Sequence, residues 1–524
     1  MVDPILSFPD SFWSLLTASA TREPDRVVLA DDYGRTLTTV QLRDSALSHA
    51  ASLHDRGIGA GSVVSWQLPS TLEAMVVMAA LTRLGAVQNP VLPILREREV
   101  RFITEQIGTG CLIICDSWKG FDHSELGRVL AAEIGFDLLV VEQGSPPPGG
   151  PSPLRLSMGD PDYLPSPPGE ARVDEVRWVY FSSGTTADPK GVRHTDRSVM
   201  SGAAGVVGMV GANTSDVDPL AFPISHIGGS AMLAAALLTG MRLVLFDSFD
   251  PTASPMRIAA HRPTILGSAT PFFVAFIEAQ RSSGEVRVFG DLRACIGGGA
   301  PVTAELNRQV REVLGVPGIA NAWGLTEFPV ATSPRPDAAP EVLDNTVGPP
   351  VPGVFVRVVA SDGQELDAGQ EGELRLKGPQ CFAGYVDSSL NRDAFDAEGW
   401  FCTGDLGMVD QDGNVRVTGR IKDAIIRNAE NISAQEIEEA LITHGSVADV
   451  AVIGVPDERT GERVCAVVVA VPNCRVTLRE LVDHCQQLGL ARYKHPEALE
   501  VVDALPRNLS GKVLKRELRV TFST

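Results

Sequence analysis

Helix and strand signals alternate along most of the first 420 residues, and no other feature constrains the fold of this chain as strongly. Residues 73–84 have a helical pattern and are followed by Gly85, a residue typical of a helix C-terminus. Residues 138–141 form a short apolar run that indicates a buried strand. Because alternating helices and strands pack in layers, we predict an α/β fold for this part of the chain.

The length of the chain, 524 residues, predicts more than one domain, because a single hydrophobic core rarely organises so many residues. A turn at 412–413 precedes a strand pattern at 415–420, and we place a domain boundary at its end. We predict a large N-terminal domain, residues 1–419, of layered α/β sheets with a small β-subdomain at 341–376. Residues 420–524 predict a small, separate α+β domain, with helix and strand patterns at 434–442, 449–455, 463–471, 477–488 and 498–502.

The composition argues against several classes of protein. The formal net charge of −20 argues against a nucleic-acid-binding protein, which would carry a basic surface. The eight cysteines form no Cys-x-x-Cys pair, so we expect reduced core thiols rather than a zinc site. The N-terminus has no signal-peptide pattern, and the longest apolar run, 231–246, is interrupted by polar residues. We therefore expect a cytoplasmic protein in which this run forms a buried helix and a strand rather than a transmembrane segment.

A segment rich in serine, threonine and glycine follows the strand pattern at 177–181 and has the composition of a phosphate-binding loop. Hydroxyl groups, glycines that admit close backbone approach and a lysine together suit a polyphosphate. These groups belong to Ser182, Ser183, Gly184, Thr185, Thr186, Lys190 and Gly191. The segment lacks the Gly-Lys-Ser/Thr ending of a Walker A loop. A polar turn between strands is the simpler interpretation, and Pro189 with the lysine and glycine after it favours phosphate binding.

Downstream motifs add side chains suited to a magnesium nucleotide. Within 323–327, the face of Trp323 can stack on a base, and the carboxylate of Glu327 can hold Mg²⁺ beside phosphates. The carboxylate of Asp405, within 400–405, can accept hydrogen bonds from two hydroxyl groups. Taken singly, these residues would be interpreted as a core tryptophan, a surface acid and an aspartate in a glycine turn.

Lys512 lies near the end of the chain, in a Ser-Gly-Lys context that follows an apolar run. A lone lysine near a C-terminus is usually a solvated charge. Its significance comes from the phosphate-binding segment far upstream, because a second cation would be needed where a carboxylate meets phosphates.

Taken together and in this order, the motifs resemble those of the adenylate-forming superfamily, which includes acyl-CoA synthetases, peptide-synthetase adenylation domains and firefly luciferase. The resemblance covers nearly the whole chain and implies the adenylate-forming fold, with a small mobile C-terminal domain. It implies that Lys512 bridges the substrate carboxylate and the α-phosphate, and that Thr326 contacts the α-phosphate region. It also implies ATP and Mg²⁺ as ligands, with Thr185 and Glu327 at the metal.

The same resemblance assigns the other motif residues to the nucleotide and acyl sites. Asp405 would accept hydrogen bonds from both ribose hydroxyls, and Arg420 would add a contact to ribose or phosphate. The phosphate loop, the adenine site and the acyl site would be lined by Ser182, Ser183, Gly184, Thr185, Thr186, Lys190, Gly298, Gly299, Ala300, Pro301, Trp323 and Gly324.

Several positions depart from the commonest pattern of that superfamily. Ala187 stands where the phosphate loop usually has glycine, and Lys422 takes the hinge position where aspartate is commoner. Ser225 replaces an aromatic residue beside His226, which is either a wall of the acyl site or an ordinary core histidine. Small residues in the corresponding region indicate a roomy acyl pocket: Gly228, Gly229, Ser230, Ala231, Ala269 and 297–299.

Glu430 and Asn431 favour an acyl-CoA synthetase, because they resemble the stretch that borders the pantetheine tunnel, although Asn428 and Ala429 replace two glycines. The expected reaction forms acyl-AMP and pyrophosphate from ATP and a fatty or bulky alicyclic acid, followed by thioester formation with coenzyme A. The alternatives are a ligase that loads a carrier-protein thiol and a degenerate protein that only binds. The expected partners are these small molecules and a second copy of the chain in a homodimer, without nucleic acid.

Overall fold

The computed structural model describes residues 9–144, 153–168, 174–182, 189–299, 301–427, 430–457, 459–507 and 512–522. For Ser268, Glu430 and Asn431 it describes the backbone alone. Helices and strands alternate through these ranges, which confirms the predicted α/β fold.

The helices range from one turn to nearly five turns in length. In chain order they are α1 Phe12–Arg22, α2 Thr39–Asp55, α3 Leu72–Leu84, α4 Glu97–Ile107, α5 His123–Ile134, α6 Asp196–Val210, α7 Ile227–Thr239, α8 Ser254–Ala260, α9 Thr270–Ser282, α10 Ala304–Gln309, α11 Pro340–Asn345, α12 Asn391–Ala394, α13 Ala434–Leu441, α14 Leu478–Gln487 and α15 Lys515–Phe522.

The strands form several separate sheets. In chain order they are β1 Val27–Asp31, β2 Thr36–Thr38, β3 Val63–Gln67, β4 Val87–Pro90, β5 Cys111–Cys115, β6 Ser117–Trp118, β7 Phe121–Asp122, β8 Asp137–Val141, β9 Val176–Ser182, β10 Lys190–Thr195, β11 Val217–Leu220, β12 Arg242–Leu245, β13 Ile265–Ser268, β14 Ala294–Gly298, β15 Ile319–Leu325, β16 Phe328–Thr332, β17 Phe355–Val359, β18 Gly372–Lys377, β19 Phe401–Val409, β20 Val415–Arg420, β21 Ile425–Arg427, β22 Glu430–Ile432, β23 Val447–Asp457, β24 Gly461–Ala470 and β25 Ala498–Val501.

Two largely parallel sheets organise the first part of the chain. One has the strand order β10-β9-β4-β3-β5-β8 and the other the order β11-β12-β1-β2. Helix α3 contacts both sheets, and all its residues except Glu73 are buried. A helix that is apolar on all sides must lie inside the protein, and this one fills the centre of the largest apolar cluster. It ends at Gly85, which has a φ of 68° and is the predicted left-handed cap.

Two further sheets carry the downstream motifs. In the order β13-β14-β15-β16, the first three strands are parallel and the last is antiparallel. The sheet β17-β18-β19-β20 is antiparallel and corresponds to the predicted β-subdomain, although it extends through β20. The apolar run at 231–246 forms most of α7 and the strand β12, as predicted. Among the described helices, none is long and apolar enough to cross a membrane.

The C-terminal part has a mixed sheet and apolar clusters of its own. The sheet has the order β22-β21-β24-β23, and β25 pairs in parallel with β24. Two clusters of buried side chains are formed only by residues from Ile425 onward. One lies beneath α13 and α14 and the other beneath α15. The elements predicted beyond 420 are present with bounds that shift by one or two residues, whereas the boundary at Gly419 stays a prediction.

The carboxylate of Asp196 ties the first helix to the six-stranded sheet. It begins α6 and is 7% exposed. One oxygen accepts the indole N–H of Trp178 at 2.7 Å and the other accepts the backbone N–H of Phe12 at 3.0 Å. Because both donors are buried, water cannot replace the carboxylate as their hydrogen-bond acceptor when it is removed.

We expect Asp196→Ala to lower the free energy of unfolding by roughly 3 kcal/mol, since it leaves two buried donors unsatisfied. Urea denaturation followed by tryptophan fluorescence measures this change. Asp44→Ala removes an exposed ion pair with Arg43 and should change it by less than about 0.5 kcal/mol. Equal stability of the Asp196 and Asp44 variants would contradict this role.

Candidate functional site

The glycine-rich turn and the Trp-Gly-x-Thr-Glu motif lie on neighbouring strands. β14 and β15 are parallel, and Gly298 is in register with Ala322. β14 ends at Gly298, and the next residue, Gly299, has a φ of 78°. Because the carboxyl ends of parallel strands meet at one edge of a sheet, both motifs reach the same edge.

Asp405 connects the motif of Trp323, which lies 82 residues upstream, with Arg420 on the next strand. It lies on β19, is 2% exposed, and accepts the indole N–H of Trp323 on Oδ2 at 2.9 Å. Its Oδ1 is 2.8 Å from Nε of Arg420, the residue opposite it in register on β20. The buried negative charge is therefore balanced by a cation on the adjacent strand. Trp323 is itself nearly buried, so its indole N–H fixes the carboxylate, while stacking on adenine stays a prediction.

Glu327 lies in the turn between β15 and β16 and is 9% exposed. Its Oε1 accepts the phenol O–H of Tyr385 at 2.7 Å, and its backbone carbonyl accepts the N–H of Phe382. Burial, followed by the Glu327 charge, raises the pKa of Tyr385, so the phenol remains a donor. The sequence analysis missed Tyr385, because no pattern around it connects it with a motif 58 residues upstream.

Thr326 is held through its backbone by a second residue that the sequence analysis missed. Its carbonyl oxygen accepts a hydrogen bond from Nε2 of His194 at 2.7 Å. Burial lowers the pKa of His194 to about 4, so the ring is neutral and carries its proton on Nε2. The other ring nitrogen, Nδ1, is 2.9 Å from the hydroxyl of Ser198.

The described part of the phosphate segment consists of its two flanks. Ser182 ends β9 and is in register with Lys190, which begins β10. Nζ of Lys190 lies 5.2 Å from the ring centroid of Tyr385, which places this cation near Glu327. The predicted loop residues between the flanks lie outside the described residues: Ser183, Gly184, Thr185, Thr186 and Ala187.

The glycines of the expected roomy pocket differ in what surrounds them. A Cβ at Gly229 would overlap the backbone of Ile224, and one at Gly297 would lie 2.7 Å from a side-chain carbon of Ile319. These two glycines permit close packing within the protein and leave no space for a ligand. Gly298 and Gly299 have no protein atom closer than 3.5 Å to such a Cβ, so open space remains there.

The next two predicted residues lie on either side of a short segment after β14. Ala300 lies outside the described residues, whereas Pro301 is exposed and its carbonyl accepts the hydroxyl of Thr270. A Cβ at Gly324 would overlap the carbonyl of Pro329 on the facing strand. The tight turn between β15 and β16 therefore requires glycine at 324 regardless of any ligand.

His226 forms the N-terminal cap of α7. Its Nδ1 accepts the backbone N–H of Gly228 at 3.2 Å, and its ring meets that of Phe222 edge to face. The side chain is exposed, yet the protein around it lowers its pKa by desolvation. These contacts show an exposed helix cap, and a role of His226 in the acyl site stays a prediction. Its neighbour Ser225 is buried.

Lys512 lies three residues before the start of α15. It adds a positive charge to those of Asp405 and Arg420. Burial lowers its pKa to about 8; the Arg420 charge acts in the same direction, whereas Asp405 and Asp423 oppose it. The ammonium group is therefore close enough to the Asp405–Arg420 pair for their charges to act on it. The role predicted for Lys512 at a bound nucleotide stays a prediction.

The remaining predicted positions follow the last strand of the β-subdomain. Lys422 is exposed in a one-turn 3₁₀-helix, Ile421–Asp423, directly after Arg420. The backbone of Glu430 and Asn431 lies on β22, which pairs with β21, and their side chains are outside the description.

The carboxylate predicted to hold a magnesium ion is that of Glu327. In the described ranges, no three His, Cys, Asp or Glu side chains are grouped closely enough to enclose a metal. Mg²⁺ is commonly bound through one or two carboxylates together with substrate phosphates and water. The hard oxygen of Glu327 fits such a partial site, and Thr185, the other predicted ligand, lies outside the described residues.

Comparison with known protein families shows to which family this chain belongs. The model of the AMP-binding enzyme family matches residues 16–386, and that of the AMP-binding enzyme C-terminal domain matches residues 436–512. The chain belongs to the AMP-binding enzyme family. The predicted resemblance and the adenylate-forming fold are thereby confirmed, and the chain is an ATP-dependent acid–thiol ligase.

Two relatives have names that differ in the group that receives the acyl unit. The chain is 31% identical to the medium-chain fatty-acid–CoA ligase of Escherichia coli, over 96% of this chain and 88% of that protein. It is 32% identical to the salicyl-AMP ligase / salicyl-S-ArCP synthetase of Mycobacterium tuberculosis, over 97% of this chain and 91% of that protein.

A solved relative indicates which state the described arrangement resembles. ATP-bound MatB from Rhodopseudomonas palustris is 27% identical, with 98% of this chain and 99% of that chain covered, and a TM-score of 0.88. The apo form of the same protein gives 0.78 with equal coverage. The fold of this chain as a whole is thus more similar to the ATP-bound structure than to the apo structure.

We expect the rate at limiting ATP to fall as the pH rises through about 8, because the Lys512 ammonium loses its proton there. Below that pH the cation is fully present and the rate should be level. Lys512→Arg keeps a charged group throughout, so its rate, even if lower, should not show this fall. Measuring kcat/KM for ATP between pH 6 and pH 10 tests this, with Lys494→Arg as the control. If kcat/KM of Lys512→Arg still fell above about pH 8, the fall would have to come from the titration of another group.

Proposed function

We propose that this chain is an acyl-CoA synthetase that activates a fatty or bulky alicyclic acid. The first half-reaction joins the carboxylate to the α-phosphorus of ATP, forming acyl-AMP and releasing pyrophosphate. In the second, the thiol of coenzyme A attacks the acyl carbon and AMP leaves. The observation that carries the proposal is the buried Asp405–Arg420 pair, whose two charges both act on the pKa of Lys512.

The first half-reaction brings a carboxylate against a triphosphate, so cations must offset the repulsion between two anions. The chain as a whole carries a net charge of −20 and repels such substrates. Lys512 supplies positive charge where the carboxylate meets the α-phosphate, and Lys190 supplies it toward the leaving phosphates. Glu327 would hold Mg²⁺, which would supply further charge neutralisation when bound.

In this proposal the buried carboxylate of Asp405 holds the nucleoside. Asp405 accepts the two ribose hydroxyls, and its orientation is set beforehand by Trp323 and Arg420. The adenine and the acyl group lie along the open edge at Gly298 and Gly299. Thr326, whose backbone is fixed by His194, presents its side chain to the α-phosphate.

The acceptor thiol belongs to coenzyme A in this proposal. Glu430 and Asn431 support it, because they resemble the stretch that borders the pantetheine tunnel. The fatty-acid–CoA ligase from E. coli also supports it, whereas the salicyl-S-ArCP synthetase favours a carrier-protein thiol. The domains 1–419 and 420–524 rotate about Lys422 between half-reactions, so that Lys512 leaves and the 419–432 face enters. The homodimer and the cytoplasmic location stay predictions.

A panel of carboxylic acids tests the substrate and the acceptor together. The panel contains medium- and long-chain fatty acids, alicyclic acids and salicylate, each assayed for pyrophosphate release with ATP and Mg²⁺, with and without coenzyme A. We expect release with a fatty or alicyclic acid, and acyl-CoA as the product when coenzyme A is present. Acyl-AMP that accumulates unchanged in the presence of coenzyme A would instead indicate a carrier-protein thiol.

We expect Lys512→Ala to lose acyl-AMP formation by at least about a hundredfold, since a preorganised charge at the transition state is removed. The same variant should still form thioester from supplied acyl-AMP at close to the wild-type rate. Measuring the two half-reactions separately distinguishes these effects. Wild-type rates of acyl-AMP formation in Lys512→Ala would overturn the role given to this residue.

A further inference from the structure

The helix that follows Lys512 is anchored on one face by apolar packing. α15 begins three residues after Lys512 and lies against β23. Leu518 is 3% exposed and packs in a cluster with Val455 and Leu505. This packing fixes α15 on the C-terminal sheet, but it does not connect the helix with the segment that carries Arg420.

An ion pair makes that connection. Nη2 of Arg519, on α15, lies 3.0 Å from Oδ1 of Asp423, and the two side chains are 30% and 18% exposed. Asp423 ends the one-turn helix that begins directly after Arg420, so only two residues separate it from the nucleotide site. The partners are 96 residues apart in sequence. The pair therefore ties the helix after Lys512 to the first residues of the proposed rotating domain.

A second ion pair fixes the N-terminal end of the same helix. Nζ of Lys515 lies 2.7 Å from Oε1 of Glu438 on α13, and both side chains are largely buried. The same carboxylate oxygen accepts the backbone N–H of Val452 on β23 at 2.6 Å. This pair joins α15 to the interior of the C-terminal part, whereas Asp423–Arg519 joins it to the segment next to the nucleotide site.

Asp423 is one of the charged groups that act on Lys512. The ammonium must lie close to Arg420 and Lys515, and like charges repel each other. Asp405 and Asp423 offset that repulsion from two sides. Asp405 already contacts Trp323 and Arg420. Asp423 is therefore the carboxylate that the C-terminal part itself contributes.

We propose that the Asp423–Arg519 ion pair is a positioning device for acyl-AMP formation: it holds α15 against the 421–423 turn and so keeps Lys512 at the Asp405–Arg420 pair. The proposal rests on the function proposed above. It assigns to these two residues a role in the first half-reaction alone, since thioester formation does not use Lys512. A pair that only stabilised the fold would affect both half-reactions alike.

The test measures both half-reactions in Arg519→Gln, Asp423→Asn and the double variant of the full-length chain. We expect each single variant to lower kcat for acyl-AMP formation about tenfold, the size of effect of breaking a partly buried ion pair. The KM for ATP should change little, because Asp405 and Arg420 are untouched. Thioester formation from supplied acyl-AMP should stay within about twofold of wild type. The double variant should be no slower than the slower single variant, as expected for one shared interaction.

A matched control and a rescue variant separate positioning from general stability. Lys494→Met breaks the Lys494–Glu436 ion pair, a partly buried pair of 2.7 Å in the same C-terminal part that does not involve α15. It should leave both half-reactions unchanged. Arg519→Lys keeps a cation opposite Asp423 and should recover part of the lost rate. Equal losses in both half-reactions, or an unchanged rate of acyl-AMP formation in Arg519→Gln and Asp423→Asn, would overturn the proposal.

Failure of this inference can be distinguished from failure of the proposed function by including Lys512→Ala in the same assays. If Lys512→Ala loses acyl-AMP formation and the ion-pair variants do not, only the positioning role is wrong. If Lys512→Ala itself keeps the wild-type rate, the function assigned to the lysine is wrong and the positioning role falls with it.

Discussion

The buried carboxylate of Asp405 holds this site together. Its Oδ2 accepts the indole N–H of Trp323, and its Oδ1 forms an ion pair with the guanidinium of Arg420 but accepts no hydrogen bond within the described residues. Trp323 and Arg420 come from different sheets. Removing water from a carboxylate is costly unless hydrogen bonds and an opposite charge replace it, and both replacements are present here. Because the carboxylate is oriented before any nucleotide arrives, binding need not fix it again. The same charge also favours the protonated form of Lys512, so it couples the proposed nucleotide site electrostatically to the C-terminal part.

The two parts of the chain contribute to the site in different ways. The parallel strands β14 and β15 end at one edge, and their backbone alone brings the glycine turn and Glu327 together. Lys512 is not on a strand of these sheets, and its position depends on the packing of α15 and on ion pairs such as Lys515–Glu438. A lysine held through a separate sheet can leave the site as a unit with that sheet. A lysine on β14 or β15 could do so only by disrupting the core.

Sequence patterns predicted a helix or strand well where the residues within that segment alone determine it. Helix α3 was predicted to within one residue, because an apolar run and a glycine cap define it locally. The partners of the motifs were not predictable in this way, since Tyr385 and His194 reach Glu327 and Thr326 only through the folded chain. Glycines show the same limit: Gly229 is needed by the backbone of the protein itself, and the sequence alone cannot distinguish it from a glycine that leaves space for a ligand.

The pKa of Lys512 connects the electrostatics of the site with movement of its C-terminal part. With protein groups alone around it, burial and Arg420 make the ammonium easier to deprotonate than a free lysine. A carboxylate and a triphosphate would add negative charge beside it and reverse this tendency. The charged lysine is therefore most stable at the site when both anionic substrates are bound. In the proposed reaction pyrophosphate leaves, and the substrate carboxylate becomes part of acyl-AMP, whose α-phosphate keeps a single negative charge. Much of that stabilisation would then be lost. If Lys512 acts as proposed, the end of the first half-reaction weakens the attraction between the site and Lys512 before the thiol enters.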